Sequence, residues 1–215
     1  MNDRHRGPHH GGGSVLVLCQ ANVCRSVFAG TLLAAGMAAG GVEVRTAGLA
    51  TVPGLAPCPE VRQRCGEAGL DVPTAGSRPC TAVDLEAASL VLVMTRRQEG
   101  DVSRLLLSAR HRTLTLLGAV ALAEAAASGD LRVADIPAWI NGMHHFRGSV
   151  ARPSVEHPVV TRKLFRQRQS VRLVSEIPDG HTSGSDIEHQ HTLDLVAEQS
   201  ARLLSAWRTS FSIQA

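Results

Sequence analysis

Four short β-type runs alternate with alanine- and leucine-rich stretches, and this alternation restricts the fold more than any other property of the 215-residue chain. The runs are 15–19, 42–46, 90–94 and 112–116. The first and third, Val-Leu-Val-Leu-Cys and Leu-Val-Leu-Val-Met, are almost wholly apolar, as strands covered on both faces are. Between and after them the pattern predicts helices over 26–39 (ending at Gly40-Gly41), 59–68 (ending at Gly69), 83–88, about 97–109 and 118–128. Such alternation implies an α/β fold, a doubly wound four-stranded parallel sheet flanked by helices. Sheets of this kind bind ligands beyond the C-terminal ends of their strands.

Cys19 falls at such an end. It opens the run Cys19-Gln20-Ala21-Asn22-Val23-Cys24-Arg25-Ser26, which leads from the first strand into the first helix. A buried cysteine is usually an ordinary packing residue, so the argument rests on the whole run. A cysteine attacks as thiolate, and a helix start together with a nearby cation favours that form. Backbone N–H groups at a helix start also bind phosphate, and a guanidinium holds it bidentately. The six-residue spacing lets one loop curl around a tetrahedral oxyanion, with the sulfur of Cys19 at the bottom and the fork of Arg25 above. Ser26 can donate a hydrogen bond to the sulfur, helping it attack and later leave. Asn22 tolerates left-handed backbone and can brace the loop through its amide.

These residues resemble the low-molecular-weight protein tyrosine phosphatase family, whose loop reads Cys-x-x-Asn-x-Cys-Arg-Ser. The resemblance extends to Thr46-Ala47-Gly48, Gly69-Leu70-Asp71, Ser77-Arg78-Pro79, Leu90–Met94, Ile177-Pro178-Asp179 and Leu193-Asp194-Leu195-Val196. It covers residues 14–117 and 171–208. It implies a phosphomonoester hydrolase working through a phosphocysteine intermediate, and a protein-tyrosine phosphatase in particular. Cys19 would be the nucleophile, Arg25 the transition-state clamp and Asp179 the general acid. Gln20, Ala21, Asn22, Val23, Cys24 and Ser26 would hold the phosphate. Cys24 resembles the second loop cysteine of the family, which pairs with the nucleophile under oxidation and protects it.

The chain departs from the family pattern in several places. The family's acid is normally followed by Pro and often an aromatic, whereas Gly180 and His181 follow Asp179. Ala50, Thr51 and Val52 supply no aromatic either, and Val27 and Gly30 replace a usual Pro and acid. Pro-Asp-Gly is by itself a turn signal. Asp135 and Asp186 are the competing acids, and Asp186 is expected to cap the last helix. A small-molecule phosphatase, a thioredoxin-coupled arsenate reductase and a non-catalytic phosphate-binding protein of the same fold are the alternative functions. The reductase relays oxidation through a cysteine pair after the third strand, whereas Cys58 and Cys65 precede it.

Composition narrows the partners. A net charge of +3 does not argue for nucleic acid, and the chain has no stretch of 18 apolar residues to span a membrane. Five cysteines, an odd number, match no zinc spacing, so a reducing, cytoplasmic setting is expected, with no metal and no cofactor. His181, His189 and His191, near Asp186 and Glu188, are expected to be solvated. The expected partner is a phosphorylated protein or a small phosphate ester. Residues 1–13, polar and glycine-rich, are expected to be a disordered tail without a signal-peptide core. Residues 14–215 are expected to form one domain, with a peripheral insertion at about 129–170. Within and just beyond the insertion, the run 161–172 carries five positive charges and reads as a solvated helix face. Steering of an anionic substrate is its functional alternative.

Overall fold

A computed structural model describes residues 13–163, 166–181 and 185–211. The expected tail thus lies almost entirely outside the described residues. Strand β1 (Ser14–Cys19) pairs in parallel with β2 (Glu43–Gly48) on one side and β3 (Leu90–Val93) on the other, and β4 (Thr113–Thr115) follows beside β3. The order is β2-β1-β3-β4, the four-stranded parallel sheet expected from the alternation.

Both faces of this sheet are covered, which is why its central strands are continuously apolar. Side chains alternate between faces along a strand. Val15, Val17 and Cys19 therefore enter one core cluster, with Leu90 and Leu92 beside them. Helices α1 (Arg25–Met37), α2 (Pro59–Glu67), α5 (Leu116–Ser128), α6 (Ile136–His145) and α7 (Asp186–Phe211) cover that face. Leu16, Leu18, Val91 and Val93 enter the other cluster, closed by Leu85 of α3 (Ala82–Ala87) and Val102 of α4 (Arg96–Leu105). Thr81 and Thr95 start α3 and α4 with reciprocal side-chain caps to Asp84 and Gln98.

The segment expected to be peripheral divides in two. Its first part is built into the core: Ile136, Trp139, Ile140 and Met143 of α6 are buried, and Trp139 meets Trp207 of α7 edge-on at 5.2 Å. Asp135 caps this helix by accepting from Ala138 N–H at 2.7 Å. The second part is an antiparallel hairpin, β5 (Val155–Lys163) and β6 (Arg166–Val174). The basic run 161–172 is therefore strand, not helix, with residues 164–165 outside the described set. The hairpin leans on α7, where His157 Nε2 lies 3.3 Å from Thr192 Oγ1 and Val160 N–H donates to Glu188 at 2.7 Å. Beyond β6 the chain returns to the sheet, and Ile177 N–H donates to the carbonyl of Met94, just past β3. No helix among the described residues is long and apolar enough to cross a membrane.

Candidate active site

The loop from Cys19 to Ser26 closes around the sulfur of Cys19. Asn22 takes the left-handed conformation, φ 53°, which turns the chain back on itself. Its N–H then points at Cys19 Sγ from 3.3 Å. Ser26 Oγ lies 3.0 Å from the same sulfur. The Asn22 side-chain amide donates to Ser26 Oγ at 3.1 Å, leaving the hydroxyl proton of Ser26 to face the sulfur. The other end of the Asn22 amide accepts from Arg78 N–H at 3.1 Å. Asn22 is thus the brace expected of it, tying the loop to the Ser77-Arg78-Pro79 segment.

Further backbone bonds fix the loop from outside. Leu49 N–H donates to Cys19 O and Ala50 N–H to Gln20 O, at 3.0 and 2.9 Å. Cys58 N–H donates to Val23 O at 2.9 Å, fastening the start of α2 to the loop. Gly48 permits the close approach of the Gln20-Ala21 backbone. A Cβ there would sit 3.0 Å from Gln20 O and 3.1 Å from Ala21 C. Helix α1 starts at Arg25, so its first turn opens toward the loop.

Arg25 is 4 % exposed and belongs to the site rather than to solvent. Nη1 donates to Ile177 O at 3.3 Å and Nη2 to Asp179 Oδ2 at 2.5 Å. Asp179 Oδ1 accepts from His181 N–H at 3.2 Å, which holds the carboxylate in a turn of its own chain. Asp179 is therefore brought to the loop that carries Cys19. Of the competing acids, Asp135 is occupied as the cap of α6. Asp186 is the first residue of α7, and the capping oxygen is that of Ser185, which faces Glu188 N–H at 3.5 Å. The expected capping role thus moves by one residue.

Two cysteines sit behind the loop. Cys24 and Cys58 are buried and free. A hydrogen bond to Cys58 and burial push the Cys24 thiol far up. That same bond pulls Cys58 down, against its burial and against Glu60, whose carboxylate lies 2.8 Å from Cys58 Sγ. The histidines expected in solvent separate. His189 is buried against Cys58, its Nε2 3.4 Å from the sulfur, and His181 lies against His189 with ring centroids 4.1 Å apart. His191 turns instead to Glu156 O at 3.1 Å. The association of Cys24, Cys58, His181 and His189 is invisible in the sequence, because each residue comes from a different segment. Phe28, Trp139, Phe146, Trp207 and Phe211 all belong to the main core or pack on it, so no described aromatic is left to wall a substrate pocket.

The profile of the low molecular weight phosphotyrosine protein phosphatase family matches residues 14–148, from β1 through α6. Among solved structures, the chain is similar to a YwlE mutant from Bacillus subtilis at 18 % identity, covering 92 % of this chain and 99 % of that one, with a TM-score of 0.58. The tyrosine phosphatase Wzb from Escherichia coli K30 matches at 18 % identity over 91 % of this chain and 99 % of its own, TM-score 0.58. The YwlE arginine phosphatase from Geobacillus stearothermophilus matches at 20 % over 92 % and 94 %, TM-score 0.58. No curated protein sequence matches the chain.

Proposed function

Because this chain belongs to the low molecular weight phosphotyrosine protein phosphatase family, we propose that it hydrolyses phosphate monoesters through a phosphocysteine on Cys19, with phosphotyrosine protein as the leading substrate class. The carrying observation is that Cys19, Ser26, Arg25 and Asp179 converge on one loop at the end of β1. Cys19 Sγ attacks phosphorus in line, the bond to the leaving oxygen breaks, and Asp179 gives that oxygen its proton. Arg25 and the loop N–H groups hold the charge on the phosphoryl oxygens. Water then attacks the phosphocysteine, Asp179 takes up its proton, and the sulfur leaves with the Ser26 hydroxyl donating to it. None of these steps calls for a metal.

Substrate choice is argued from what surrounds the loop. The core positions of the described aromatics weaken stacking of a phosphotyrosine ring, which keeps small phosphate esters as the second substrate class. The assay therefore compares an aryl phosphate, a phosphotyrosine peptide and phosphoarginine, the last because two neighbours are arginine phosphatases. Turnover of the aryl phosphate, whose good leaving group needs little help from an acid, is expected to survive a chelator and to fall by at least about 10⁴-fold in Cys19→Ser. Full turnover by Cys19→Ser would refute the mechanism. Thioredoxin-dependent arsenate turnover without ester hydrolysis would assign the reductase function instead.

A further inference from the structure

Behind the phosphate loop, four donors from four separate elements face one another. Cys24 comes from the loop itself, Cys58 from the start of α2, His181 from the acid loop and His189 from the first turns of α7. Their donor atoms all lie within 4.8 Å of one another, and all but His181 are buried. Two thiols and two imidazoles form a donor set suited to zinc-class ions. Bond lengths of about 2.3 Å to sulfur and 2.0–2.1 Å to nitrogen place tetrahedral ligand atoms about 3.3–3.8 Å apart. Cys58 Sγ and His189 Nε2 already stand at 3.4 Å.

Two further observations point the same way. His189 Nδ1 is buried without a hydrogen-bond partner among the described residues, so the ring is not held by hydrogen bonds at both ends. Gly180 is what lets the acid loop lie against α7. A Cβ at that position would come within 2.6 Å of His189 Cα, so the departure from Asp-Pro coincides with the seating of His181 on His189.

We propose that Cys24, Cys58, His181 and His189 form a structural site for a divalent ion of the zinc class, which fastens the acid loop to the phosphate loop. On binding, both thiols lose their protons to solvent, and two sulfur–metal and two nitrogen–metal bonds form. Two thiolates balance the dication, so the completed site buries no net charge. Glu60 accepts from Cys58 Sγ at 2.8 Å and lies 3.7 Å from His189 Nε2, and this thiol hydrogen bond is given up when Cys58 binds as thiolate. The ion takes no part in the ester chemistry. It positions Asp179 through His181, and it withdraws Cys24 from oxidation against Cys19. Only these last consequences rest on the phosphatase reading; the site itself does not.

The test uses the full chain, freed of metal by a chelator and kept reduced with a phosphine. Titration with Co²⁺ should give one equivalent with the visible bands of tetrahedral cobalt and a thiolate-to-cobalt charge-transfer band, displaced by Zn²⁺. The bands should survive Cys19→Ser and a triple replacement of His5, His9 and His10 by Ala. Cobalt affinity should fall by at least about 100-fold in Cys58→Ser and in His181→Ala. His181 is exposed, so its replacement decides the matter even where Cys58→Ser fails to fold. The proposal is overturned if wild type shows no thiolate band. It is equally overturned if the band disappears in Cys19→Ser, or persists at full affinity in His181→Ala.

Discussion

Asp179 Oδ2 and Arg25 Nη2 meet at 2.5 Å although 154 residues of chain separate them. A phosphate dianion and Asp179 thus compete for one guanidinium. Replacing Asp179 with Asn removes the competing charge and, on the proposed mechanism, the proton donor. Inorganic phosphate should inhibit Asp179→Asn about five-fold more tightly than wild type, the worth of a partly exposed ion pair of about 1 kcal/mol. Turnover of an alkyl phosphate should fall by about 10²–10⁴-fold, and turnover of a good leaving group by much less. Unchanged alkyl turnover would show that the acid lies elsewhere.

The approach of Gly180 to α7 leaves no room for even a methyl group. Its nearest neighbour there is backbone, which cannot swing aside as a side chain does. Gly180→Ala should therefore cost about 1–3 kcal/mol in a urea titration and displace the acid loop, lowering kcat more than it raises KM. Gly180→Pro, the change that restores the family's Asp-Pro, should behave no better. A neutral or improved Pro variant would contradict this packing.

Burial holds the imidazoles of His144 and His157 below their ordinary value of 6.5. Arg147 adds to the effect at His144, where a backbone hydrogen bond at His111 opposes it; His191 adds to it at His157, where a backbone hydrogen bond at Pro158 and the charge of Glu188 oppose it. The folded state therefore binds fewer protons than the unfolded chain. The stability these residues contribute is complete above 6.5 and is lost as pH falls toward and through the lowered folded values. The Tm should decline between about pH 7.5 and pH 5.5, and His157→Gln should flatten that decline. A Tm that climbs on acidification would reverse the sign.

Trp139 is fully buried and stands edge-on to Trp207. Trp139→Ala should cost about 3–5 kcal/mol. The indole nitrogen has no hydrogen-bond partner among the described residues, so Trp139→Phe should be far milder. Chemical denaturation of the two variants separates them. A cost below about 1 kcal/mol for the alanine variant would remove α6 from the core.

The sheet and the loop were legible because their signals are local. Val15 to Cys19 is continuously apolar, and the residues that shape the phosphate cradle follow within seven positions. Boundaries drifted where tertiary bonds extend or cut an element. β2 runs on to Gly48, which pairs with Cys19, and β4 shrinks to 113–115 behind a 3₁₀ segment at Leu107–Arg112. Helix α6 is hidden in the sequence because Pro137 by itself reads as a helix breaker. It stands in the first turn, where proline needs no donor, just after the capping carboxylate of Asp135. The basic run gave no strand signal because charge, not alternation, dominates it, and Pro158 interrupts its partner strand. The cysteine and histidine cluster could not be read at all. Its members lie 34, 123 and 8 positions apart, so only the folded chain assembles them.

β1 has a strand on each side and helices on both faces, so Cys19 hangs from the most enclosed part of the molecule. Asp179 comes from a stretch joined to the sheet at Ile177, beyond a hairpin that lies outside the main sheet. In amide exchange the first site should fall in the slowest class, opening only with the whole domain, and the second in a class governed by local opening. On the proposed mechanism, nucleophile and acid would then open by separate equilibria. Changes at 175–181 can retune leaving-group preference while leaving intact the half of the site that recognises phosphate.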